Sequence, residues 1–365
     1  MTKKILLLLF MLFTVAGCNK VSEPDVPVVQ RETQLRERYN KSNLTPLGTL
    51  NYRLYTNSKI TSSPAVYANT LVFVNNKGVV YMLNAHSGEV VWSKNLNVSV
   101  EDSAVEIEYS MVFVSSAEGN LYALDLSNGN ILWTFKTPMP VFSSPVFAKG
   151  HILFSAGDGN VYCLNHKNGS ITAKIPVNIA LHASPGFHSK KMYVGGYDGI
   201  VYAFEKDSKT PLWKFKTDGA ILAKPVFTNN TLFIASTDGN LYAINPENGS
   251  LQWSYKAQGL IKSTPVIQKN NIYIADAKGY IQSLKTANGV LNWSLKTNGS
   301  IFASMAFAND TLYAASGDGF VYAIKPSTGA IVWKFGVGSA INSSPIINNG
   351  YLYFGADNGK FYSIK

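Results

Sequence analysis

The side chains able to do chemistry in this chain are few, and their spacing argues against catalysis. The five histidines (His86, His151, His166, His182, His188) fall at unrelated positions. None forms the His-x-His or His-x-x-x-His pair that sets two imidazoles on one face to grip a metal. Asp158, Asp198, Asp238 and Asp318 recur at multiples of forty residues, each directly before a glycine. An aspartate in that place bonds its own backbone and shapes a tight turn, so it belongs to the turn rather than to an acid–base pair. One acidic stretch departs from the pattern: Glu101, Asp102, Glu106 and Glu108 stand where sister segments carry Ser-Ser-Pro. A cation or partner site is the sharper reading of this stretch, and a solvated strand with alternating Glu is the one expected. Cys163 stands where sister segments carry Ala203, Ala243 and Ala323, which suits a small buried core residue better than a nucleophile. No Gly-x-Ser-x-Gly elbow, Walker loop or His-Glu-x-x-His motif occurs. No catalytic residue, cofactor-binding residue or metal ligand is therefore expected, and the cofactor expectation is none.

The elements that must carry these residues announce themselves by repetition. Trp213, Trp253, Trp293 and Trp333 are forty residues apart, Trp92 and Trp133 forty-one. Pro145, Pro185, Pro225, Pro265 and Pro345 keep the same beat, and a turn glycine recurs eight times from Gly78 to Gly359. Within one period, Ala223–Phe227, Thr231–Ser236, Asn240–Asn245 and Ser250–Lys256 read as four short strands separated by Asp238-Gly239 and Asn248-Gly249 turns. Four strands per period of about forty define a propeller blade. The fold class predicted is all-β, an eight-bladed β-propeller of four-stranded blades over residues 47–365. The last repeat stops at Lys365 before its fourth strand. Upstream, Leu50–Asn57 parallels Leu291–Asn298 and puts Tyr52 in the tryptophan slot. The N-terminal strand is thus expected to complete the C-terminal blade and close the ring, which removes open sheet edges.

Composition agrees. Hydrophobic residues make up 46% of the chain and charged ones 15%, with abundant Tyr, Phe and Gly. The formal charge of +10 would suit nucleic acid only if the basic residues were gathered on one face. They are instead scattered along strands (Lys94, Lys136, Lys214, Lys334), so no nucleic-acid partner is expected. Residues 1–17 join Lys3-Lys4 to an apolar run, Ile5 to Phe13, and to Val15-Ala16-Gly17 before Cys18. That is the order of a secretory signal, and its apolar run is shorter than the ~20 residues of a permanent span. The small-small-Cys ending resembles the bacterial lipobox, which implies acylation of Cys18 and attachment to a membrane through the lipid. Asn19 resembles the outer-membrane sorting choice. Residues 18–46 read as the lipidated Cys and a polar tether, with ends roughly 30 Å apart as a coil.

Asp125–Trp133 (DLSNGNILW) and Lys325–Trp333 (KPSTGAIVW) resemble the tryptophan-docking repeat of quinoprotein-like, PQQ-repeat propellers, and the resemblance covers residues 50–365. Together with the lipobox and eight blades, the chain resembles the BamB-type lipoprotein family of the outer-membrane β-barrel assembly machinery. That resemblance implies a non-enzymatic scaffold, lipid-anchored at the outer membrane and facing the periplasm. It implies a monomeric propeller within a complex, bound to the periplasmic POTRA region of a BamA-like barrel insertase and aiding delivery of nascent barrel proteins. It points to the loop Pro176–Pro185 for partner binding, with Ile179 and Leu181 as anchors and His182 in place of the family's usual Arg. Ile179 and Leu181 equally suit alternate inward residues of a strand. The next loop, Ala220–Lys224, lacks the acidic residues the family tends to carry, and the preceding blade has Ala173 in its tryptophan slot. Two alternatives stay open. One is an envelope lipoprotein binding a small ligand or glycan. The other is a pyrroloquinoline-quinone dehydrogenase, although such enzymes are usually much longer and often carry an adjacent Cys pair absent here.

Overall fold

A computed structural model describes residues 48–365, apart from 149, 189, 206, 207 and 229. The signal segment, Cys18 and the tether lie outside the described residues. The remainder forms eight four-stranded antiparallel sheets. Seven are consecutive in sequence: blade 1 at residues 65–95, blade 2 at 106–136, blade 3 at 146–176, blade 4 at 186–216, blade 5 at 226–256, blade 6 at 266–296 and blade 7 at 306–336. Blade 8 joins three C-terminal strands to Leu50–Tyr55, which pairs with Lys360–Ile364 in the register Arg53↔Tyr362 and Leu54↔Phe361. The first strand of each blade is innermost. Ala65–Tyr67 of blade 1 touches its counterparts in both blade 2 and blade 8, which closes the circle as expected from the sequence.

Four of the eight tight turns between second and third strands, those of blades 3, 4, 5 and 7, are organised by an aspartate before the glycine. Asp238 accepts the Asn240 N–H at 2.7 Å and the Tyr242 hydroxyl at 2.9 Å. The same Tyr–Asp bond recurs at Tyr162–Asp158, Tyr202–Asp198 and Tyr322–Asp318. Burial, with the neighbouring carboxylate adding, pushes the Tyr242 hydroxyl up to about 12. These aspartates are structural, as their periodicity required.

Blades are joined by tryptophans. The Trp253 indole N–H donates to the Thr286 carbonyl of the next blade at 3.1 Å. Its ring lies on Gly289, whose φ of +70° is left-handed and where a Cβ would sit 2.5 Å from the ring. Glycine is required there twice over, by space and by backbone. The same dock joins Trp92 to Leu126, Trp133 to His166, Trp213 to Pro246 and Trp293 to Pro326. At the closing blade Tyr52 takes the slot and donates to the Ala85 carbonyl at 3.1 Å. Gly48 in turn lies against the Trp333 ring, tied by its N–H to the Lys365 carbonyl. The N-terminal segment therefore supplies both a strand and a docking platform.

One joint is built differently. Between blades 3 and 4 the tryptophan is Ala173, and the glycine expected forty residues before Gly249 is Lys209. Phe204 and Met192, larger than or different in shape from Ile244 and Leu232 at the sister positions, pack with Ala173 and Cys163 in one cluster. Bulk missing from one blade is supplied by its neighbour. Cys163 is buried, as expected of a core residue.

Around the axis, hydrogen bonds stitch adjacent blades at forty-residue steps. Ala104, Thr264 and Ser304 N–H groups donate to Ser144, Ser304 and Ser344 hydroxyls at 2.8, 3.0 and 2.9 Å. The Ser343 hydroxyl carries the lace over the seam to the Ser62 carbonyl at 2.8 Å.

Candidate functional site

The loops that link one blade's outer strand to the next blade's inner strand share a three-residue pattern of apolar, variable, small. Examples are Ile60-Thr61-Ser62, Val141-Phe142-Ser143, Ile221-Leu222-Ala223, Ile261-Lys262-Ser263, Ile301-Phe302-Ala303 and Ile341-Asn342-Ser343. The first residue is buried and tethered: Ile221, Ile261 and Ile301 donate N–H to Gly196, Ser236 and Asp276 carbonyls, each at 3.1 Å. The third is buried as well. Only the middle residue is released, so the ring presents one free side chain per joint around the axial mouth. Before blade 2 the same anchors, Val100 and Ser103, enclose two residues instead of one, Glu101 and Asp102. This insertion is why Trp92 and Trp133 are forty-one residues apart. It places Asp102 in left-handed backbone, φ +55°.

That carboxylate does not remain a solvated strand residue. Lys262 Nζ lies 2.6 Å from Asp102 Oδ2. The two stand at the joints before blades 6 and 2, four blades apart in a ring of eight, so the ion pair crosses the axis. Thr61 Oγ1 accepts the Asp102 N–H at 3.5 Å, and Lys262 lies 5.8 Å over the Phe302 ring. On the same mouth His182 stacks on Phe142 with ring centres 4.5 Å apart and stands 5.4 Å from Tyr197. Burial holds His182 below the usual imidazole range; Lys262 adds to this and Asp102 opposes it. Asn342 bonds Asp357 at 3.2 Å, and Asp357 lies 3.6 Å from Lys59.

The residues singled out from the sequence separate in depth. Leu181 is fully buried and belongs to the blade 3–4 cluster, in the slot Ile221 fills at the next joint. Ile179 packs on that cluster while partly exposed. His182 alone reaches the mouth. Leu181 thus pins the loop from beneath, whereas Ile179 and His182 face outward. Of the acidic stretch, Glu106–Glu108 forms the inner strand of blade 2 with Ile107 buried between half-buried glutamates. That matches the alternating-strand expectation; Asp102 differs because the insertion swings it to the axis. Phe142, Lys262 and Phe302 were not singled out in the sequence. Their signal was a position that varies between two positions that do not. Among the described residues no group of three His, Cys, Asp or Glu could hold a metal. The mouth offers a cation, an anion and aromatic faces, an array suited to binding.

Two family models match the chain. One, described as the β-propeller of beta-alanine-activating enzyme, matches residues 172–365, more than half the chain. The other, described as outer membrane protein assembly factor BamB, matches residues 38–184. Among curated proteins, BamB of Francisella salina is 27% identical over 95 residues, covering 26% of this chain and 18% of that protein. BamB of Salmonella typhimurium is 26% identical over 147 residues, covering 37% of this chain and 36% of that protein. The matched stretches thus span well under two thirds of these relatives' lengths. Among solved structures, BamB from Moraxella catarrhalis superimposes with a TM-score of 0.74 at 15% identity, covering 88% of this chain and 100% of that one. The computationally designed Ika8 protein superimposes with a TM-score of 0.76 at 17% identity, covering 87% and 99%. At these identities the structural likeness speaks for the fold.

Proposed function

The chain belongs to the PQQ-repeat β-propellers and is BamB-like among them, and from that premise we propose that it is a non-enzymatic scaffold of outer-membrane protein assembly. In this reading it is acylated at Cys18, held at the outer membrane facing the periplasm, and bound to the POTRA region of a BamA-like insertase. The observation that carries the reading is the extent of the BamB family match, residues 38–184, which runs through the loop holding Ile179, Leu181 and His182. The mouth supports it physically. Blade-joint loops anchored at both ends present fixed side chains at little ordering cost, the condition for a protein-docking surface.

The rims also divide the labour. Gly48 meets the ring among the turns that dock tryptophans, whereas the mouth lies among the loops linking one blade to the next. A chain tethered through residues before Gly48 is therefore held from the rim opposite the mouth. The test is affinity capture of the lipidated protein from its native envelope, followed by mass spectrometry. Recovery of a POTRA-containing barrel protein, lost on Ile179→Arg with the propeller still folded, is the expected result. Folded, lipidated protein that recovers no such partner would turn the reading toward a ligand-binding lipoprotein.

A further inference from the structure

We propose that Asp102 is an internal stand-in for an acidic partner: the axial mouth receives a carboxylate side chain of a polypeptide at Lys262, and Asp102 occupies that place until it arrives. The inference rests on the reading of this rim as a protein-docking surface, and it supplies the chemistry of the group that docks.

Three observations carry it. The first is that the pair is an added feature. Every other joint makes its turn with a single residue between the anchors. Only the joint before blade 2 inserts one, at the cost of a left-handed aspartate, and the product of that insertion is a carboxylate 2.6 Å from a lysine on the far side of the ring. The blade itself needs no such bond, since its own lace and docks are complete without it.

The second observation is exposure. The Asp102 and Lys262 side chains keep 48% and 36% of their accessible surface. A half-exposed ion pair is weak, so it holds its site against a competitor by only roughly two- to five-fold. A carboxylate arriving with further contacts displaces it.

The third is what surrounds the lysine. Phe302 lies beneath it, Leu260 precedes it in the same loop, and Tyr197 and Met139 project from the same rim; all four are exposed. A bare anion makes no use of these apolar faces. A peptide side chain bearing a carboxylate beside an apolar or aromatic neighbour uses both. The surplus of Lys and Arg over Asp and Glu, which remains positive without Lys3 and Lys4, draws such a segment in.

The test uses the folded full chain and a fluorescein-labelled pentapeptide of alternating aspartate and phenylalanine, with its asparagine counterpart as the neutral probe, read by fluorescence anisotropy. Asp102→Asn is expected to bind the acidic probe two- to five-fold more tightly than the wild type. Lys262→Met should abolish that binding in either background, Lys262→Arg should retain it, and the neutral probe should respond to none of these changes. Equal thermal midpoints for Asp102→Asn and the wild type establish that the fold is unaltered. The idea is overturned if Asp102→Asn binds no more tightly, or if Lys262→Met binds as well as the wild type. It is also overturned if the gain appears on anionic phospholipid vesicles and not on the peptide. If Ile179→Arg still abolishes capture of the insertase in any of those cases, the assembly role stands and the stand-in alone falls.

Discussion

Gly289→Ala is the sharpest test of how the blades are held together. A Cβ at Gly289 would lie 2.5 Å from Cε3 of Trp253, so the indole must leave its seat. The φ of +70° costs an alanine about 1–2 kcal/mol. Lifting the ring weakens its 3.1 Å bond to the Thr286 carbonyl and its tilted contact with Phe233 at 5.7 Å, a further loss of about 2 kcal/mol. The sum, about 3–4 kcal/mol, is large against the few kcal/mol that separate folded from unfolded states. Equilibrium unfolding in urea, followed by tryptophan fluorescence, measures it. Lys209→Ala is the control. It sits at the equivalent turn position in blade 4, without left-handed backbone and with no tryptophan from blade 3 to seat. Its expected cost is within about 0.5 kcal/mol. A loss below about 1 kcal/mol for Gly289→Ala, or an equal loss for both variants, would refute tryptophan docking as the joint.

Three further outcomes are expected. Ala173→Trp should destabilise by about 1–3 kcal/mol through overpacking, and adding Phe204→Leu should recover much of that in thermal unfolding, because the two positions share one cluster. Stability should fall as pH rises above about 10. The Tyr162, Tyr202 and Tyr322 hydroxyls are pushed well above their ordinary value by burial and by the bonds to Asp158, Asp198 and Asp318. The folded state therefore keeps protons that the unfolded state has released, and the stability they give is complete below the unfolded value and lost above it. Tyr322→Phe should flatten that alkaline slope in unfolding scans. Removal of residues 48–55 should abolish cooperative unfolding of the entire ring, since it strips the outer strand of blade 8 and the Tyr52 dock together; a normal melt by circular dichroism would contradict closure.

What the sequence made legible follows from periodicity. Forty-residue spacing named the blades, and the likeness of Leu50–Asn57 to Leu291–Asn298 located the seam. The recurring Asp-Gly pairs read as turn residues, and in the structure Asp158, Asp198, Asp238 and Asp318 each bond the tyrosine of the following strand. Ala173 stood out because its sisters are tryptophans. Lys209, the other half of the same missing dock, was equally visible once Gly249 and Gly289 defined the slot. The mouth was harder to see. Asp102 and Lys262 are 160 residues apart, and nothing local links them. They meet because eight equal rotations bring opposite joints to face each other, a property of ring closure rather than of any segment. The inserted residue between Val100 and Ser103 was the trace left in the sequence, and it registered only as an irregular interval. Leu181 illustrates the converse limit. The sequence left Ile179 and Leu181 as either partner anchors or alternate inward residues, and only packing separates them, with Leu181 buried and Ile179 partly exposed.

The seam also imposes an order in time. Leu50–Tyr55 is the first strand of the ring to be synthesised, and its partner, Lys360–Ile364, is the last. Thr49 and Lys365, which bond across the seam, are 316 residues apart. Bringing such distant ends together costs about 2 kcal/mol more chain entropy than closing one forty-residue repeat, and until then both end blades expose open edges. Closure therefore waits for Lys360–Ile364. A product that stops before Lys360 leaves Leu50–Tyr55 with no strand to pair with, whereas one that lacks Leu50–Tyr55 loses only the outer strand of blade 8, so the seam makes folding of the ring depend on the strand synthesised last.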